Sequence, residues 1–378
     1  MAPRKASCAS RLLLATAVAL IVAVLGAPPE ALADRTRDDM WHLKFLRADK
    51  AQAIAQGEGI TVGVVDSGVD GNHPDLEGNV EDGLYGSWDD HKGHGTGMAS
   101  LIAAHGHGAG NRDGALGLAP KAHILPVLAG KGSGRSGTDA LTRGIRWATD
   151  HGAQVINLSQ GVPDPSERIC AAVDYALSKD VVVVAAAGNT AKGSSQVEWP
   201  AQCPGAVAVS GTDQDGSFTD ESVQGPQVAL AAPATQIVGA GVNGGYGSGT
   251  GTSPASAIVS GTAALVRSKY PDLRAKDVIE RLIATADDRG PKGRDPQYGY
   301  GIVDPLKALT ADVPKVDRNP LLKPSTKPVG TAKNGGGKGG WCLAALGIPG
   351  SAGLILAGVF VRRRRQPSTA SAQHPPRQ

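Results

Sequence analysis

Five short apolar runs punctuate the chain between residues 60 and 210: Ile60–Val65, Ala122–Leu128, Val155–Leu158, Val181–Ala187 and Ala206–Ser210. They are valine-rich, bounded by Gly, Pro or Asp, and lack a clean apolar–polar alternation, which predicts parallel strands covered on both faces. Between them Gly97–Ala104, Thr138–His151 and Arg168–Lys179 read as helices. Strands alternating with helices predict an α/β fold, a three-layer sandwich around a mostly parallel sheet with right-handed crossovers. Pro254–Tyr270 is a longer stretch of small residues, apolar on most sides, and is predicted to be a buried helix. Asp277–Ala286 reads as a surface helix.

The two ends of the chain depart from this pattern. Residues 1–33 place Arg4, Lys5 and Arg11 ahead of an apolar run from Leu12 to Gly26, then Ala31-Leu-Ala33. That order is a signal peptide cleaved before Asp34, with an uncleaved N-terminal anchor as the alternative. Cys8 precedes the apolar core, whereas a lipidated cysteine would follow it. Cys342–Val361 is a second apolar stretch, twenty residues without a charge. At 1.5 Å per residue it matches a bilayer core of roughly 30 Å, so one C-terminal transmembrane helix is predicted over 341–361. Arg362–Arg365 follow directly and predict a cytoplasmic tail over 362–378, with the globular part outside. No LPxTG-like pentapeptide precedes Trp341, which argues against covalent attachment to a cell wall. Residues 313–340 alternate prolines with lysines and end in Asn334-Gly-Gly-Gly-Lys-Gly-Gly340, the composition of a tether rather than a core.

Charge changes the picture little. The net +3 comes from the ends. Setting aside Arg4, Lys5, Arg11, Arg362–Arg365 and Arg377 leaves 30 of the 38 basic residues, against 34 of 35 acidic ones once Glu30 is also removed. The exported part is therefore mildly acidic, and nothing points to nucleic acid as a partner. Of four cysteines, only Cys170 and Cys203 fall in the globular region. Outside the reducing cytosol they are predicted to form a disulfide, with two buried thiols as the alternative.

Candidate chemistry sits where glycines cluster: Val64-Val-Asp66-Ser-Gly68, Gly93-His94-Gly-Thr-Gly97, Gly251-Thr-Ser253-Pro-Ala255 and Ala187-Gly-Asn189. Asp66, His94 and Ser253 are the residue types of a nucleophile, its base and the carboxylate that orients the base. Ser253 falls at a predicted helix start, where outward-facing N–H groups can help hold a developing anion. The competing residues read more simply. His91 lacks the glycine setting and belongs to a surface loop. His105 and His107 have no acidic or cysteine companions that would complete a metal site. Ser256 and Ser260 read as packing residues, and Asp70 and Asp75 as braces of the loop after the first strand.

These motifs, in the order Asp…His…Ser, resemble the subtilisin-like serine proteases over roughly Gly57 to Leu309. Within that family the chain resembles the mycosins, membrane-anchored subtilases associated with type VII secretion in actinobacteria. Asp39-Met-Trp-His-Leu43, Gly152-Ala-Gln-Val-Ile-Asn-Leu-Ser159, Gly261-Thr-Ala-Ala-Leu-Val-Arg267 and Tyr298-Gly-Tyr-Gly-Ile-Val-Asp304 carry that likeness, together with the layout of signal, domain, linker, span and tail. The resemblance implies a catalytic domain over 57–312, preceded by a short extension, residues 34–56, that lies along it. It implies Asn189 as an oxyanion-hole side chain, and Ser159, Gln160 and Gly161 as a strand that pairs with an extended peptide. Gly161 is expected to leave the pocket for the residue before the cut open, while Gln160 replaces a more usual apolar residue. No cofactor is implied. Calcium sites are frequent in the family, but Glu81, Asp82, Asp89 and Asp90 fall short of a full ligand pattern, so calcium stays open. Mycosins commonly carry longer loops and a second disulfide, and this chain has neither. The expected function is a single-pass, membrane-tethered extracytoplasmic serine endopeptidase acting on polypeptides. The expected partners are the cytoplasmic membrane and type VII secretion components. The alternatives are a structural subunit whose proteolysis is dispensable and a surface-tethered degradative enzyme.

Overall fold

The computed structural model describes residues 35–84, 90–129 and 137–322. The predicted signal peptide, transmembrane helix and basic tail lie outside them. Among the described residues no helix is long and apolar enough to cross a membrane.

Six parallel strands form the central sheet: β1 (Thr61–Asp66), β4 (His123–Leu128), β5 (Val155–Leu158), β6 (Val182–Ala186), β7 (Val207–Thr212) and β8 (Val228–Pro233). Their spatial order is β4-β1-β5-β6-β7-β8. Two small hairpins, β2 (His105–His107) with β3 (Asp113–Leu116) and β9 (Ile237–Ala240) with β10 (Tyr246–Gly249), flank it. The valine-rich runs behave as their lack of alternation requires. Val182 and Val184 join one apolar cluster, while Val183 and Ala185 join another on the opposite face. All four are fully buried, and each valine removed from water contributes about 1.5–3 kcal/mol. One face is covered by α5 (Gly137–Asp150) and α6 (Glu167–Ser178), the other by α4 (His94–Ala103) and α7 (Thr252–Lys269). The result is the subtilisin-type three-layer α/β sandwich.

The extension forms three short helices, α1 (Arg35–Asp38), α2 (Trp41–Phe45) and α3 (Ala48–Gln52). They do more than lie along the domain. Met40, Leu46, Ala48 and Ala51 are buried within the larger apolar cluster. Trp41 Nε1 donates to the Thr235 carbonyl at 3.1 Å, Gln52 Nε2 donates to the Gly117 carbonyl at 2.7 Å, and Arg47 pairs with Asp304.

Two expectations need correction. The stretch predicted as a surface helix is α8 (Ala275–Ala284), in which Val278, Ile279 and Leu282 are fully buried. Its polar residues misled the reading because they bind backbone rather than water. Arg281 Nη1 donates to the carbonyls of Ala308 and Ala311, and Asp277 Oδ1 accepts from Val316 N at 2.9 Å. Those contacts also fix the start of the segment read as a tether from residue 313. Asn319 Nδ2 donates to the Gly205 carbonyl at 2.9 Å, and the chain is held on the domain through Leu321. The run Val228–Ala232, absent from the predicted strands, supplies the edge strand β8; α9 (Pro305–Thr310) closes the described helices.

Candidate active site

The sheet order runs outward from β1 in both directions, to β4 on one side and to β5 on the other. Ligand sites in such sheets lie beyond the carboxyl ends of the strands near the point of reversal. Asp66 is the last residue of β1, Ser159 follows β5 and Asn189 follows β6. His94 opens α4, and Ser253 lies in the first turn of α7. Residues scattered over 188 positions thus line one cleft of about 540 Å³.

Asp66 is 1 % exposed. Its Oδ1 accepts from the Ser67 amide and from His94 Nδ1, both at 2.7 Å. The buried carboxylate is the main reason the His94 pKa stands above its ordinary 6.5; Asp90 adds to the effect and Lys192 opposes it. With Nδ1 committed to Asp66, Nε2 is the nitrogen left for chemistry in the cleft. The loop carrying His94 is braced from beneath. Asp90 accepts from Ser67 Oγ, Lys92 N, Thr96 N and Thr96 Oγ1, at 2.8–3.0 Å. This acid, one of the group weighed for calcium, is spent on protein donors.

Ser253 Oγ donates to the Ser159 carbonyl at 2.9 Å, so the resting hydroxyl points to the neighbouring strand end rather than to His94. Beneath it runs a chain of hydroxyls. Ser159 Oγ donates to the Ser253 carbonyl and meets Ser256 Oγ at 2.9 Å, while Ser260 Oγ bonds Asn157 Oδ1. Ser256 and Ser260, read as packing residues, are therefore a polar seam joining α7 to β5. The Ser159 side chain belongs to that seam.

Asn189, which lines the cleft, accepts from Thr252 N through Oδ1 at 2.8 Å, and its Nδ2 is left as a donor. Gly251 makes this approach feasible: a Cβ there would stand 2.8 Å from Asn189 Oδ1, and its φ of 143° suits glycine. The braces Asp70 and Asp75 are where the sequence put them. Asp70 accepts from the amides of Asn72 and Asn243. Asp75 accepts from Ala115 N and Tyr246 Oη and pairs with His107, one of the histidines weighed for a metal.

Sequence reading missed Glu198. The Val162–Trp199 backbone pair zips its segment to the chain just past Gly161. Its carboxylate then fills the space beside that glycine. A Cβ on Gly161 would lie 2.2 Å from Glu198 Oε2, and one on Gly188 would lie 3.1 Å from Glu198 Cγ. The pocket floor expected to be open is thus occupied by an acid. No linear signal marks Glu198; only the pairing of distant backbones brings it there. The predicted disulfide is present between Cys170 and Cys203, with an S–S distance of 2.09 Å, and it ties this loop to α6.

The subtilase family model matches residues 57–301. Subtilisin DY of Bacillus licheniformis is 35% identical over 270 residues, covering 69% of this chain and 95% of the relative. Thermitase of Thermoactinomyces vulgaris is 39% identical over 273 residues, covering 70% and 93%. The crystal structure of MycP1 from the ESX-1 type VII secretion system superposes with a TM-score of 0.65 at 30% identity, covering 74% of this chain and 88% of that one. With this fold and these motifs on one cleft, the chain belongs to the subtilase family and is a serine-type endopeptidase.

Proposed function

We propose that Ser253 attacks the peptide carbonyl, with His94 as general base and Asp66 as the group that orients it. The observation that carries this reading is the convergence of Asp66, His94, Ser253 and Asn189 on one cleft, with the Asp66–His94 hydrogen bond already formed. A rotation about χ1 of Ser253 trades its bond to the Ser159 carbonyl for one to His94 Nε2. The proton then passes from Oγ to Nε2 as the Oγ–C bond forms, and Asp66 stabilises the imidazolium. Asn189 Nδ2 and the Ser253 amide donate to the developing oxyanion. His94 returns the proton to the leaving amine as the C–N bond breaks. Water, activated in turn by His94, releases the acid from the acyl-enzyme. The chemistry draws on side chains and backbone alone.

We further infer a mycosin-like place for the protease: exported, held by the span at 341–361, with the active site outside and the arginine tail inside. The apolar run and Arg362–Arg365 support that topology, and the likeness to MycP1, together with the docked extension, supports the assignment. The test is complementation of a deletion strain with wild type or Ser253→Ala, reading the proteins released by its type VII system. Failure of the Ser253→Ala form to restore wild-type release or processing is expected. Full rescue by the inactive form would instead make the chain a structural subunit, and unchanged secretion in the deletion strain would make it a degradative surface enzyme.

A further inference from the structure

Among the described residues two acidic side chains line the cleft, and Asp66 is committed to His94. Glu198 is not spent in that way. Ser194 Oγ donates to its Oε1, and its backbone N–H donates to the Ala187 carbonyl at 2.9 Å. Among the described residues Oε2 has neither a hydrogen-bond donor nor a cation. Lys92 and Lys192 line the same cleft but are exposed and do not pair with it. The half-buried carboxylate therefore lies in a slot of the cleft, against Gly161 and Gly188. Its walls are the backbone after β5, at Ser159–Gly161, and after β6, at Ala186–Asn189.

We propose that Glu198 is the specificity-determining residue of this protease and selects lysine or arginine as the residue immediately before the scissile bond. The proposal rests on the reading of Ser253 as nucleophile, which fixes where that residue must lie. Attraction of a cation and rejection of other side chains both contribute. A Lys or Arg stem can run along the peptide walls, with its cationic head reaching Oε2 in a charge-assisted hydrogen bond. A Leu or Phe side chain would strip water from Oε2 and return nothing, and that desolvation counts against apolar residues. An acidic residue would meet like charge. Gly161 and Gly188 contribute by absence, since a side chain at either would displace the carboxylate.

The test uses the exported protein and tetrapeptide nitroanilides that differ only in the last residue: Arg, Lys, Leu, Phe or Glu. Wild type should favour Arg and Lys over Leu and Phe by roughly 10- to 100-fold in kcat/KM, the range of a hydrogen bond to a charged group. Glu198→Gln, which keeps an acceptor for Ser194, should bring the basic and apolar substrates to within about threefold of each other, chiefly by loss on the basic ones. Labelling of Ser253 by a fluorophosphonate counts the competent sites in every sample and guards against misfolding of the variant. A labelled wild type that prefers Leu, Phe or Glu, or a basic preference that survives in fully labelled Glu198→Gln, overturns the role of Glu198 alone. A folded wild type that neither takes the label nor cleaves any substrate overturns the nucleophile assignment, and the proposal with it.

Discussion

Removing the extension's anchor should weaken the domain rather than activate it. Met40 is 2% exposed, belongs to the larger apolar cluster, and its sulfur accepts from the Leu116 amide at 3.5 Å. Truncating a fully buried methionine to alanine costs about 2–5 kcal/mol, through lost burial and the cavity left behind. Against a domain stability on the order of 5–15 kcal/mol, that is from about one-eighth of the total to all of it. Met40→Ala, made on a Ser253→Ala background to prevent self-digestion, should lower the urea midpoint followed by tryptophan fluorescence, with the slope unchanged. In the Ser253 form, activity per labelled site should stay at the wild-type value, because Met40 is not part of the cleft. A midpoint shift corresponding to less than about 0.5 kcal/mol, the range of ordinary surface changes, would refute the claim that the extension is part of the core. So would a rise in activity per site, the mark of an inhibitory segment.

The remaining predictions concern the cleft and its staple. Because Asp66 raises the His94 pKa, and His94 must be neutral to act, kcat/KM should fall as pH drops through a value above 6.5; a limb at or below 6.5 contradicts the geometry. Asp66→Asn should move that limb to lower pH and cut turnover by roughly 10⁴, as when the same change is made in another serine protease triad. Asn189→Ala should lower kcat by about 10²–10³ with little change in KM, the loss seen when the matching donor is removed from subtilisin; an effect confined to KM would place Asn189 outside the oxyanion hole. Cys170→Ser with Cys203→Ser should cost roughly 3–4 kcal/mol for a closed loop spanning 33 positions, read as a drop in urea midpoint that reductant reproduces in wild type.

What the sequence made legible follows from where each signal is local. A buried parallel strand announces itself as a run of valines, so β1, β4, β5, β6 and β7 were visible within a residue or two of their ends. The groups on the strand ends and helix starts, Asp66, His94, Ser253 and Asn189, were visible because glycines mark the close approaches around them. α8 was misjudged because Asp277 and Arg281 look like a solvated face until residues 308–316 are laid over them. For the same reason residues 313–322 resemble a tether in the sequence although they are held on the domain. Glu198 was illegible outright. It is an ordinary glutamate whose meaning comes from the backbone pairing of its neighbour Trp199 with Val162, 37 positions earlier.

The division of labour between α7 and the loop of Glu198 has a consequence for how such a protein can change. Residues Thr252 to Arg267 of the helix that carries Ser253 are all buried and stitched to β5 by hydroxyls, so almost any substitution there is felt by the whole domain. The Glu198 side chain is bonded to Ser194 rather than to that helix, and the register of its loop is kept by a disulfide and by backbone bonds that do not depend on what residue 198 is. Descent and laboratory selection can therefore exchange the acid for another residue, and retarget the blade, while the hand that drives it stays fixed.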